Sequence, residues 1–177
     1  MTEEKLRFRL ATGNVGVMAA TNENIEAAAR PMLALVFGSI ILLCLMAYRT
    51  VLGTLSIVLP LVVVSTLAEA LMAWHGIGLK VNTLPVVALG VGIGVDYGIY
   101  IYNRLRSLLK EGHNLHDAYY RTLRLTGRAV IFTGFTLATG VGTWMFSALQ
   151  FQADMGILLS FIFLANMVGA IVVLPAL

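Results

Sequence analysis

Four stretches of this chain, residues 32–48, 50–68, 129–153 and 155–177, contain no Asp, Glu, Lys or Arg, and a fifth, 81–103, contains only Asp96. A helix that crosses a bilayer needs about 20 mostly apolar residues. Inside hydrocarbon the backbone must satisfy its own polar groups, which leaves only helices and closed barrels. These runs are continuously apolar and do not alternate, so they read as helices. Charged residues make up 12% of the chain and hydrophobic ones 59%, whereas soluble domains carry about 25% charged residues. The expected fold class is an all-α polytopic membrane protein with about five transmembrane helices, near 32–48, 52–74, 83–103, 129–149 and 155–177.

The segments between the runs set the organisation. Residues 1–30 are amphiphilic and read as extramembranous. Leu6–Leu10 alternates like a short strand, Thr12-Gly13-Asn14 signals a turn, and Asn22–Ala29 looks helical before Pro31. Pro60 marks a kink in the second span. Arg49, Arg104, Arg106, Lys110, Arg121, Arg124 and Arg128 fall on one side of the expected topology, and Arg30, Lys80 and Asp154 on the other. The positive-inside rule makes the first side cytoplasmic and leaves residues 1–30 extracytoplasmic, and the expected location is the cytoplasmic (inner) membrane. Trp74 and Trp144 then sit at outer ends, where an interfacial belt belongs.

A net charge of +3 points to membrane lipids as partners, and no basic patch interleaved with aromatics offers a nucleic-acid site. In the cytoplasmic link, about 104–127, Asn114 and Asp117 resemble a capping box. Leu115, Ala118, Tyr119, Thr122 and Leu125 share one face, with Arg121, Arg124 and Arg128 off it. An amphipathic helix on the inner leaflet and a solvated basic connector both fit that pattern.

Asp96 is the residue that makes a function readable. A charge at the centre of a transmembrane helix costs about 2.5–3.5 kcal/mol on the lenient insertion scale. Around it, Gly90, Gly94 and Gly98 form a smooth stripe for close helix packing. Asp96, Tyr100 and Asn103 form a polar stripe, and Tyr97 adjoins the acid. A carboxylate that couples to protons or cations is favoured over a purely structural hydrogen-bonded Asp, because intramembrane acids mark ion pathways.

The fourth span presents Thr133, Thr136, Gly140 and Thr143 on one face. Their hydroxyls either serve Asp96 as a relay, with depth favouring Thr133 and Thr136, or bond to their own preceding turn. Glu69 either snorkels to the interface or lines a substrate path, and Asn166 reads as an interhelical link. One cysteine, Cys44, excludes an internal disulfide. His113 and His116 lack a third ligand nearby, which argues against a metal site. No phosphate-cradling loop or hydrolytic triad is present, so neither an enzyme nor a cofactor is expected, only coupling to protons.

The motif Gly90-Val-Gly-Ile-Gly-Val-Asp96-Tyr97-Gly98-Ile-Tyr100 resembles the resistance-nodulation-division (RND) superfamily, most closely its MMPL-type lipid exporters. Asn103-Arg104-Leu105-Arg106, Thr126-Gly127-Arg128-Ala129-Val130 and the closing Gly169 to Pro175-Ala176-Leu177 extend the similarity over nearly the whole chain. The five-span block is also similar to sterol-sensing domains of that superfamily. Translocon relatives usually follow the Asp with Ala-Asn, and Asp96-Tyr97-Gly98 departs from that.

The resemblance implies a proton-driven antiporter of two pseudo-symmetric halves. Residues 31–177 would be the five-helix block of one half, and residues 1–30 the end of its porter-like domain. Asp96 and Tyr97 would be the proton-coupling pair, facing an equivalent pair on a half that this chain lacks. The chain thus reads as a fragment of a proton-motive-force-driven exporter of lipids or other hydrophobic substrates. A non-transporting lipid- or sterol-sensing module and an inactive fragment are the alternatives.

Overall fold

The computed structural model describes residues 14–77 and 83–176. The expected strand at Leu6–Leu10 and the link around Lys80 lie outside the described residues. The described residues are helical throughout the spans and contain no strand, and five helices are long and apolar enough to cross a membrane. The protein is a multi-pass, all-α membrane protein.

Helix α1 (Asn14–Tyr48) runs unbroken through Pro31. At about 1.5 Å per residue it is about 52 Å long, well beyond a hydrocarbon core of about 30 Å. Helix α2 (Val51–Trp74) follows after a tight reversal in which Arg49 adopts φ +52°. Helix α3 (Thr83–Lys110) returns. A turn containing Gly112 at φ +89°, a conformation natural to glycine, leads to the short helix α4 (Leu115–Thr122). A π-helical turn, Leu123–Gly127, joins α4 to α5 (Arg128–Gly142). A 3₁₀ turn at Thr143–Phe146 ends that arm, and α6 (Gln150–Val168) crosses back into a second π-helical turn, Gly169–Val173.

Helix α6 is the centre of the bundle. It packs against α5 on one side and against α3 and α2 on the other, while α1 lies outside against α2 and α3. Small residues set the separations, as expected where dispersion rather than hydrophobic expulsion drives packing. A β-carbon on Gly134 of α5 would lie 2.8 Å from Met167 Sδ. One on Gly156 of α6 would meet the Val141 carbonyl at 3.0 Å. Ile57, Val86, Ile101, Leu158 and Phe163 fill the core with almost no exposure. Pro60 is buried inside an otherwise continuous α2, and the glycine of the second π turn, Gly169, packs against its ring.

Three boundaries differ from expectation. Helix α3 continues past 103 to Lys110, so Arg104 and Arg106 ride on helix rather than loop. The extension is held because Leu105 and Leu108 bury against Ala118 of α4. The fourth span stops at Phe146, and α6 begins at Gln150 rather than 155. There Ser147 Oγ donates to Gln152 Oε1 at 2.9 Å and accepts from the Leu149 N–H at 3.2 Å, closing a short reversal.

The link helix also differs in detail. Asn114 is the first flanking residue of α4, but its side chain makes no cap bond. Asp117 instead accepts from Arg121 Nε at 3.1 Å. Ala118 and Thr122 are fully buried, and Tyr119 Oη donates to the Ile171 carbonyl of α6's terminal turn at 3.0 Å. Leu115 and Leu125 are 59% and 60% exposed, so the expected five-residue face is divided between the bundle and the surroundings.

Candidate functional site

Helix α3 carries the site, and its two faces have opposite surroundings. On one face Gly90, Gly94 and Gly98 admit close neighbours. A β-carbon at Gly90 would collide with Ile162, one at Gly94 with the Asn166 amide, and one at Gly98 would lie 3.2 Å from Ile57 Cγ2. Asn166, buried on α6, donates from Nδ2 to the Gly90 carbonyl at 2.8 Å. This bond ties α3 to α6 at one level in an otherwise apolar contact.

On the other face Leu89, Gly92, Asp96, Tyr100 and Asn103 are exposed, Tyr100 by 61%. By helical rise Asp96 lies about 20 Å from the Thr83 end of α3, somewhat to the arginine-bearing side of the middle of a hydrocarbon core of about 30 Å, and it is exposed on the face away from the bundle. Among the described residues no hydrogen bond or ion pair reaches that carboxyl. Tyr97, one residue on, is turned by about 100° and points inward. It is 3% exposed, and its hydroxyl is buried without a hydrogen-bond partner among the described residues. An unsatisfied buried polar group costs about 1–3 kcal/mol. Thus Asp96 and Tyr97 adjoin in sequence and diverge in space, one to the uncovered face and one to the core.

Thr133 and Thr136 are not brought to Asp96. Helix α5 packs on α6, and α6 stands between α5 and α3. Both threonines are exposed on the outer face of α5, and Thr136 Oγ1 donates to the Phe132 carbonyl one turn back at 2.8 Å. Thr143 does likewise to the Gly140 carbonyl at 2.7 Å. Glu69 is exposed near the end of α2. The inward course of Tyr97 was not readable from the sequence, although its i+4 neighbour Ile101, also fully buried, was a signal. Another grouping the linear reading did not single out is Arg104 with Arg121 and Arg124, whose spacing within the link is i, i+3 but whose meeting with α3 is tertiary.

The sequence resembles known membrane proteins, two of which are named as exporters. It is 33% identical over 128 residues to the trehalose monomycolate exporter MmpL3 of Mycolicibacterium smegmatis, covering 70% of this chain and 12% of that protein. It is 26% identical over 171 residues to the siderophore exporter MmpL5 of Mycobacterium tuberculosis, covering 93% of this chain and 17% of that protein. Against the membrane protein YdfJ of Bacillus subtilis it is 24% identical over 149 residues, 82% of this chain and 19% of that protein. The chain therefore spans less than a fifth of the length of these relatives. The sequence model of the MMPL family matches residues 6–177, from before α1 to the last residue, and the chain belongs to that family.

Proposed function

We propose that this chain is the five-span block of one half of an MMPL-type exporter, in which protonation of Asp96 couples the proton-motive force to export of lipids or other hydrophobic substrates. The observation that carries the proposal is an acid at the middle of a membrane-spanning helix, on a face left uncovered by the chain's own helices. A carboxylate there is stable only with a partner or a water-filled path, and intramembrane acids of this kind mark proton routes.

In this reading the opposing half covers the α3 face, Tyr100 bounds the proton path on that face, Tyr97 packs behind Asp96 on the core side, and Asp96 alternates between protonated and ionised forms. One charge moving across 100 mV releases about 2.3 kcal/mol, which rocks the helices against one another. The arginine-bearing end faces the cytoplasm, and residues 1–30 join an extracytoplasmic porter domain. The relatives named as exporters of trehalose monomycolate and of siderophores support hydrophobic or amphiphilic cargo. The test replaces Asp96 by Asn in the full-length parent protein and measures proton-dependent export. Loss of export with normal membrane levels is expected, and export at wild-type rate would sink the coupling role.

A second reading is favoured by one feature, an apolar groove of about 370 Å³ between α2 and α6 bordered by Pro60, Leu67, Phe161 and Val168. It suits a lipid- or sterol-sensing module that does not transport. That module would bind lipid equally well with Asp96→Asn and without a proton gradient.

A further inference from the structure

We infer that the junction of α3 with the link helix is a binding site for the phosphate of an anionic phospholipid, separate from Asp96. A cavity of about 640 Å³ opens there between the last turns of α3 and the α4–π segment. Two stripes face one another across it. Arg104 and Leu108 on α3 and Glu111 just beyond its end recur at i, i+4 and i+7, and Asp117, Arg121 and Arg124 at i, i+4 and i+7 on the opposing segment. Spacing of that kind turns all members of a stripe to one side.

The charges in the cavity are not balanced. Asp117 Oδ2 is taken by Arg121 Nε at 3.1 Å and approached by His113 Nδ1 at 3.4 Å. Glu111 Oε1 accepts from Ser107 Oγ at 3.2 Å, and its other oxygen lies 4.0 Å from His113 Nε2. Asp117 is therefore ion-paired to Arg121 and Glu111 is held by a neutral hydroxyl, so three arginines face two carboxylates across the cavity. Among the described residues no carboxylate pairs with Arg104 or Arg124. Two guanidinium groups, each a planar fork suited to phosphate oxygens, line one cavity with no anion assigned to them.

Depth and lining decide which phosphate. Helix α3 is about 42 Å long, and a hydrocarbon core of about 30 Å accounts for about 20 of its residues. From Thr83 that length ends near Asn103, so Arg104 stands where head groups begin. Leu108, 3% exposed, forms an apolar floor, and Tyr120 and Leu125, each 60% exposed, form an apolar rim. A soluble phosphate has no use for that rim, whereas a lipid tail leaving the cavity would lie along it. Arg124 and Leu125 both belong to the π-helical turn, a distortion concentrated at functional sites.

The test uses the purified 177-residue chain and native mass spectrometry, with phosphatidylglycerol, phosphatidylcholine of the same acyl chains, and inorganic phosphate as probes. Preferential retention of phosphatidylglycerol is expected. With both forks removed in R104Q/R124Q, retention falls at least about tenfold. R128Q, which removes an arginine outside the cavity, leaves retention unchanged. Equal retention of the two lipids by the wild-type chain would overturn the proposal whatever the variants do. Equal losses in R128Q and in the double variant would overturn it in favour of diffuse charge. Displacement of the lipid by equimolar inorganic phosphate would overturn the lipid assignment.

Discussion

Gly94 and Gly92 lie two residues apart on α3 and face different surroundings. A methyl group at Gly94 would occupy the position of the Asn166 amide, whereas one at Gly92 meets nothing within 4 Å. Gly94→Ala should therefore break the Asn166–Gly90 bond and destabilise the bundle by about 1–3 kcal/mol. Gly92→Ala should be neutral or stabilise by about 0.5–1 kcal/mol through helix propensity alone. Thermal unfolding in detergent distinguishes the two, and equal shifts would show that the stripe does not hold the helices together. The stripe was legible because glycine every fourth residue can mean little except a close approach. The placing of Thr133 and Thr136 was not. Helical spacing says which residues share a face, but not that α6 would stand between that face and Asp96.

At the scale of elements, the end of an apolar run proved a poor guide to the end of a helix. Helix α3 continues beyond 103 because Leu105 and Leu108 find Ala118, a contact made by α4 folding back under it. The link is anchored at a second point by the Tyr119 hydroxyl on the Ile171 carbonyl. Tyr119→Phe removes that bond at a cost of about 0.5–1.5 kcal/mol. Hydrogen exchange should then quicken across Leu115–Thr122 while α2 and the core of α6 are unaffected. Exchange unchanged in α4 would mean that Ala118 and Thr122 alone secure it. The capping-box pattern marked the start of α4 at Asn114, but the box itself does not close: the Asn114 side chain makes no cap bond and Asp117 pairs with Arg121, four residues along the same helix.

For the molecule as a whole, composition was enough to establish a five-span membrane protein, and the uncovered α3 face is the feature that needed coordinates. A cysteine placed at Tyr100, 61% exposed, should react readily with a maleimide in the isolated chain. Background should be low because the native Cys44 is 3% exposed. In the full-length parent the same cysteine should be protected several-fold, as burial at a partner surface slows reagent access. Equal reactivity in both would argue against an opposing half on this face.

The single bond from Asn166 to the Gly90 carbonyl has a mechanical consequence. Glycines at 90, 94 and 98 make a track along α3, and Ile162 and Asn166 of α6 are set into it at Gly90 and Gly94, Asn166 with a hydrogen bond. Two helices joined this way have few stable registers. The next position that offers Asn166 a carbonyl beside a glycine lies four residues along, a displacement of about 6 Å. Sliding of α3 past α6 would thus proceed in whole notches, with the length of each stroke set by glycine spacing.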